Sequence, residues 1–188
     1  MQGPDLYDAT AATLKRHLGE VPPGPCQFNI AHKARSQLVA HVALAGDVVT
    51  KPAASIGSFV FGEGRQSAVG WLVTTGEPVI ERRPFAEEII WNACAVEDRA
   101  ARLAPLLPFT PAELVVSVTK KLHHMLMPPP VGRHWALTRF ALVRPFQNED
   151  AASIAVEFET SIGVVLTRCS IRVDKFPLGH VFFSLTQP

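Results

Sequence analysis

The sequence predicts an α+β fold in which antiparallel strands form one or more sheets and helices cover one face. Three observations predict it. Short apolar runs are separated by turns rich in Gly, Asp and Pro, two other stretches repeat apolar residues at helical spacing, and helix-ending signals flank those stretches. The expected order is one helix, four strands, two helices and four strands. With 188 residues, 47% of them hydrophobic, the chain suffices for a single compact domain over 1–188.

The first predicted helix covers residues 4–18. Pro4 is suited to the first helical position, Asp5 to the first turn, and Gly19 to the point where the helix ends. Four strands are expected next, at residues 37–45, 55–61, 68–74 and 79–81. Turns that contain glycine or proline separate these runs, which is typical of an antiparallel meander.

Two helices are expected in the middle of the chain. Apolar residues from Phe85 to Leu103 recur at helical spacing and predict the first of them. The second begins at a capping box formed by Thr110 and Glu113. It ends at the three prolines of 128–130, because proline cannot continue a helix.

Four more strands are expected in the last third, at residues 134–144, 153–159, 164–173 and 181–185. The second and third of these alternate cleanly between apolar and polar residues. A tight turn between them would place Ile154 opposite Cys169 and Phe158 opposite Val165, so that the apolar faces coincide.

Short motifs also recur at a constant offset along the chain. Ala43-Leu44 precedes the run Ala53–Ile56, and Ala141-Leu142 precedes the similar run Ala151–Ile154 at the same interval. A second hypothesis for the domain organisation is therefore an internal duplication into two similar α+β halves, 1–84 and 85–188, related by a pseudo-twofold axis. The alternative is a chance recurrence of small residues.

Net charge and the absence of targeting signals limit the classes of function that the sequence can have. The formal net charge of +1 provides no global field that would recruit nucleic acid or an acidic membrane. No apolar run approaches the roughly 18 residues that span a bilayer, so we expect no membrane partner. The first residues match neither a secretory nor a mitochondrial presequence. We therefore expect a cytoplasmic protein, although a processed organellar chain would look the same.

No pattern predicts a catalytic residue, a metal site or a cofactor. The run His123–Met127 contains metal donors but lacks the spacing of a complete ligand set. Glu157 and Glu159 share a strand face and are expected to form a charge pair with Arg168 on the next strand. The three cysteines, few and far apart, are expected to be buried free thiols.

Residues 114–148 contain no Asp or Glu but carry basic and aromatic side chains. Basic groups with aromatic rings on a sheet are typical of proteins that bind single-stranded nucleic acid, RNA in particular. The candidate nucleic-acid-binding residues are Lys120, Lys121, Arg133, Trp135, Arg139 and Arg144. The alternative is a solvated face whose charges pair with the acidic residues of 77–98.

Several strands are apolar on both faces, which a one-sided sheet does not require. The last strand is expected at a sheet edge, where Val181, Phe182, Phe183 and Leu185 would bind a partner chain. The first functional hypothesis is therefore a non-catalytic protein–protein interaction module, either a homodimer or a subunit of a larger assembly. The alternatives are RNA binding through residues 114–148 and a small-molecule or acyl-group enzyme with an apolar pocket. In the enzyme, His123, His134 or Glu157 would be the groups to test.

Overall fold

The computed structural model describes residues 3–34, 36–47, 50–79, 85–103 and 105–187. Within these ranges the chain forms an antiparallel sheet with a few helices, which confirms the predicted α+β class. The helices are α1 (Gly3–Leu18), α2 (Glu87–Ala93) and α3 (Pro111–Leu126). The strands are β1 (Cys26–Ile30), β2 (Ser36–Leu44), β3 (Ser55–Phe61), β4 (Ala68–Pro78), β5 (Cys94–Glu97), β6 (Ala100–Leu103), β7 (His134–Leu142), β8 (Ile154–Ile162), β9 (Leu166–Val173) and β10 (Phe176–Thr186). None of the described helices is long and apolar enough to cross a membrane.

The chain divides into two compact units. The first contains Met1–Pro84 and Arg139–Pro145, and the second contains Phe85–Thr138 and Phe146–Pro188. In the first unit the strands follow the order β2-β4-β3-β1-β7, and in the second the order β7-β10-β9-β8-β6-β5. Strand β7 therefore contributes its first residues to the second unit and its last residues to the first. An origin of the units by duplication stays a prediction.

The core of the first unit is an aromatic cluster beneath α1. The predicted helix over 4–18 is present, and it buries Tyr7 and Leu14. The centroid of the Tyr7 ring lies 5.6 Å from that of Phe28, 5.7 Å from that of Phe61 and 5.4 Å from that of Phe140. Aromatic pairs at such spacings add stabilisation beyond the apolar area that they bury.

The strands of the first unit differ from the prediction at both ends. Strand β1 was not predicted, because it is only five residues long and follows a proline-rich connector. The alternation of buried Cys26 and Phe28 with polar Gln27 and Asn29 is the signal that could have revealed it. The expected strand at 79–81 is not formed at Val79, where β4 has already ended, and residues 80–81 lie outside the described part of the chain.

The long helix predicted from Phe85 to Leu103 is wrong. Helix α2 ends at Ala93, and the hairpin of β5 and β6 follows it. The turn of this hairpin contains Asp98 with a φ of 49°, a left-handed conformation that a helix cannot contain. Strand β6 pairs with the distant strand β8. This non-local ladder overrides the local helical periodicity, which explains why the predicted element order is not observed.

Helix α3 begins and ends where the sequence predicts. The Thr110 backbone N–H donates to Glu113 Oε2 at 2.8 Å, and the Glu113 backbone N–H donates to Thr110 Oγ1 at 3.2 Å. The helix ends at Leu126, before the three prolines. Most of its length is buried, and it lies against β6 and β8. It is the central helix of the second unit.

The hairpin of β8 and β9 has the predicted faces but a different register. Ile154 lies opposite Val173 instead of Cys169, and Phe158 lies opposite Cys169. The turn covers residues 163–165 and begins at Gly163, whose φ of 58° favours glycine, and so falls later than the predicted turn. The register moves by four residues, from Cys169 to Val173, an even number. The apolar side chains therefore remain on one face.

Strand β10 is not a sheet edge. It lies between β7 and β9 in the hydrogen-bonding order, and β5 forms the edge of the second unit's sheet. Val181 and Phe183 are buried, and Phe182 and Leu185 are half-buried. The prediction of an exposed partner-binding edge at these residues is therefore wrong. A strand that is apolar on both faces is typical of a sheet interior, where both faces can be covered.

Candidate functional site

A groove of about 510 Å³ lies on the second unit's sheet, along β6, β8 and β9. Buried residues such as Ala101, Val156 and Ile171 point to the opposite face of these strands. Side chains alternate between the two faces of a strand. The groove side therefore carries Ala100 and Ala155, whose small side chains form its floor.

Two arginines, Arg102 and Arg172, lie on the strands that flank Ala155. Arg102 on β6 lies opposite Ala155, and Ala155 in turn lies opposite Arg172 on β9. Two strand spacings separate the arginines, so their Cα atoms are about 10 Å apart. Both side chains are exposed and line the groove. Long arginine side chains on this spacing can direct both guanidinium groups over Ala155.

The groove also holds the Glu157 carboxylate, which forms no ion pair with any of the described residues. Its direct neighbours on the adjacent strands are Ala100 and Ser170, neither of which is charged. Arg168, its expected partner, instead binds Glu159, with Nε 2.7 Å from Oε2. A bulge in β8 near Glu159 changes the register with β9 there. Among the described residues, Glu157 therefore has no cation within ion-pair distance.

This arrangement places a solvent-accessible carboxylate and two exposed arginines along one groove. Glu157 lies two residues beyond Ala155, so it is about 7 Å along the strand from the level of the arginines. A carboxylate can remove a proton from a bound substrate or from water. Guanidinium groups can bind oxyanions in a bidentate manner and stabilise negative charge that develops during a reaction.

His123, a catalytic candidate from the sequence, lies in the core of the second unit. Its Nε2 is 3.7 Å from the Cys169 Sγ, and its Nδ1 has no hydrogen-bond partner among the described residues. The Trp135 and Phe183 rings pack against it, with centroids 4.6 and 5.3 Å from that of the imidazole. All four side chains are buried.

The pKa values of this pair argue against a catalytic dyad. Burial, the larger cause, and the charge of the neighbouring His124 together lower the pKa of His123 from 6.5 to about 4. Burial also raises the pKa of the Cys169 thiol to about 12, with the Glu159 charge acting in the same direction. Both groups are therefore neutral near pH 7, whereas a cysteine nucleophile reacts as the thiolate. We assign the pair to the core.

The neutral state of His123 predicts that stability falls in acid. Unfolded chains take up a proton at this position below pH 6.5, and the folded chain resists it until about pH 4. The stabilisation is complete above pH 6.5 and is lost as the pH falls towards 4, by about 3 kcal/mol in total. Denaturant unfolding at several pH values measures it. The variant His123→Phe should show a flatter profile across this range, and an unchanged slope would contradict the prediction.

The other groups that the sequence analysis considered lie away from the groove. His134 is half-buried at the start of β7, where its Nε2 lies 3.1 Å from Thr186 Oγ1. Cys26, Cys94 and Cys169 are buried and free, as expected. No group of three or more metal-ligating side chains is found among the described residues.

The six candidate nucleic-acid-binding residues do not form one surface within either unit. Lys120, Lys121, Arg133 and Trp135 belong to the second unit, and Arg139 and Arg144 to the first. Trp135 is 2% exposed, and its Nε1–H donates to the Met127 carbonyl, so its ring cannot stack on a base.

Several of the basic groups already have partners inside the protein. Lys120 forms an ion pair of 3.1 Å with Glu87, and the Lys121 ammonium donates to the carbonyl oxygens of Trp91 and Cys94 at 2.5 and 2.6 Å. Arg139 donates to Gln27 Oε1 at 3.2 Å and Arg144 to the Pro145 carbonyl at 3.0 Å, while Arg133 is exposed.

Solved structures match the chain, whereas no family model and no curated protein sequence does. The dehydratase domain from the CurJ module of the curacin polyketide synthase has a TM-score of 0.50 and 10% identity, over 97% of this chain and 83% of that one. The bifunctional dehydratase-cyclase domain of ambruticin biosynthesis has a TM-score of 0.48 and 13% sequence identity, and the match covers 100% of this chain and 82% of that one. The tesB protein of Mycobacterium avium subsp. paratuberculosis has a TM-score of 0.45 and 11% sequence identity, and the match covers 100% of this chain and 87% of that one.

The fold resembles the hotdog fold. This likeness corrects the first functional hypothesis, because the domain with a TM-score of 0.50 is a dehydratase. A non-catalytic interaction module or assembly subunit is therefore not the function towards which the fold points.

Proposed function

We propose that the chain is an enzyme that acts on an acyl thioester, with Glu157 as its general base. The observation that carries the proposal is the likeness of the fold to that of a polyketide synthase dehydratase domain, along 97% of this chain. A likeness in fold indicates only a class of reaction, because unrelated chemistries share folds. The choice of residues therefore rests on the groove.

Glu157 is the best candidate for the base because it is accessible and forms no ion pair within the part of the chain that the structure describes. It is exposed and lines the groove of about 510 Å³. His123 is fully buried, and Glu159 is held by Arg168.

Two reactions fit these groups. In hydrolysis, Glu157 takes a proton from water while the water oxygen bonds to the thioester carbon. The carbon–sulfur bond then breaks, and the departing thiolate receives the proton from Glu157. In dehydration of a 3-hydroxyacyl thioester, Glu157 takes the proton from the carbon next to the carbonyl. The C–O bond at carbon 3 then breaks, and that proton leaves with the hydroxide as water. Both begin with a proton transfer to the same carboxylate.

The test compares Glu157→Gln with the unchanged chain in two assays. One measures release of free thiol from acyl thioesters, and the other measures formation of an unsaturated thioester from 3-hydroxyacyl thioesters. We expect activity in one of them and a loss of at least about a hundredfold in the variant, because general base catalysis contributes that much.

Glu88→Gln is the matched control, because Glu88 is exposed on α2 and does not line the groove. It should retain full activity. The proposal is overturned if the unchanged chain is inactive in both assays, or if Glu157→Gln is as active as Glu88→Gln.

A further inference from the structure

The groove has a positive end as well as a base, and we infer that Arg102 and Arg172 form a binding site for an oxyanion, either a carboxylate or a phosphate. Ala155 lies directly between them on the middle strand, and its methyl group leaves the space above it open. A planar guanidinium group donates two parallel hydrogen bonds to such an anion, and two arginines facing each other can share it.

The other arginines nearby are already engaged, which distinguishes this pair. Arg168 is bound to Glu159, and Arg99 donates to the carbonyl oxygens of Phe158 and Glu159 at 3.2 and 3.0 Å. Within the described ranges, Arg102 forms no ion pair. Arg172 donates one hydrogen bond of 3.4 Å, to the Lys175 carbonyl, and this leaves most of its donors available.

The charge of the groove favours an anion at this end. Its lining contains the cations Arg102, Arg172 and Lys175 and the carboxylates Glu157 and Asp174. Asp174 and Lys175 are in the turn that joins β9 to β10, where the Asp174 backbone N–H donates to the Ser153 carbonyl at 3.2 Å. This turn holds Lys175 at the arginine end of the groove.

If Glu157 is the base, the anion site orients the substrate, and this part of the inference rests on the proposed function. The oxyanion would lie over Ala155, and the reacting carbon would lie about 7 Å further along β8, beside Glu157. The anion is either a carboxylate at the end of a short acyl chain or a phosphate on the group that carries the thiol.

Calorimetric titration of the full chain with succinate and with inorganic phosphate tests the site without any catalysis. We expect saturable binding of at least one anion, weaker at higher salt. The double variant Arg102→Met/Arg172→Met should weaken it at least about tenfold, since hydrogen bonds between charged groups contribute that much each. Arg133→Met is the matched control, because Arg133 is exposed outside the groove.

The outcomes distinguish an acyl carboxylate from a carrier phosphate as the source of the anion. They also distinguish the anion site from the proposed function. Binding of succinate alone indicates an acyl carboxylate, and binding of phosphate alone indicates the carrier. Binding of both supports the shared oxyanion site. No saturable binding of either anion, or equal binding by the double variant and Arg133→Met, overturns the inference. Glu157→Gln should still bind the anion, so an inactive chain that binds anions would contradict only the proposed function.

Discussion

Replacement of Gly70 with alanine is expected to destabilise the first unit by about 3 kcal/mol or more. Gly70 is on β4, where Phe59 lies directly opposite on β3. A Cβ atom at Gly70 would overlap both the His41 carbonyl oxygen and the Phe59 ring. The overlap with the backbone cannot be relieved by rotating a side chain. Denaturant unfolding of the variant and the unchanged chain, followed by circular dichroism, measures the difference.

Gly64→Ala is the control for this substitution. A Cβ atom at Gly64 would meet nothing within 4 Å, and its φ of 57° lies in the left-handed region. The free energy of unfolding should therefore fall only by the cost of the left-handed backbone conformation, about 1 kcal/mol. Equal stabilities of the two variants would show that the close approach at Gly70 is not a constraint on the fold.

Replacement of Phe140 with alanine should cost about 3 to 5 kcal/mol, as is usual for a fully buried aromatic side chain. Phe140 is 0% exposed and packs edge-on against Tyr7, at an interplanar angle of 72°. The substitution removes this contact and leaves a cavity beneath α1. The free energy of unfolding, measured in denaturant, gives the loss.

A phenylalanine at the surface provides the comparison. Phe176 is 49% exposed at the start of β10, so Phe176→Ala should cost less than about 1 kcal/mol. If the Phe140 variant were as stable as the Phe176 variant, the aromatic cluster would not be the core of the first unit.

Local chemistry determined which parts of the fold were predictable. The capping box at Thr110 and the prolines after α3 act within a few residues, so both ends of that helix could be predicted. Alternation along β8 and β9 predicted their faces, but their register depends on the turn at Gly163. The hairpin of β5 and β6 could not be predicted, because its stability depends on pairing with β8, more than fifty residues further along the chain.

Only part of the candidate site could be predicted from the sequence. Glu157 could be placed on the polar face of a strand, since its apolar neighbours Val156 and Phe158 are on the other face. The pairing of Arg102 and Arg172 across Ala155 had no signal in the sequence, because three strands with two separate connections bring these residues together. His123 has the same residue type as many catalytic bases, and only its burial separates it from them.

The shared strand β7 has a practical consequence for dividing the protein. A fragment that ends at residue 84 matches the halves that the sequence suggests, yet it lacks the Arg139–Leu142 part of β7. In the first unit that part pairs with β1, and Phe28 lies opposite Phe140. The truncated fragment would therefore expose the backbone donors and acceptors of β1, together with an aromatic core missing one ring. Such an open strand recruits other chains. We expect the fragment to aggregate, and a version carrying residues 139–145 on a linker to stay in solution.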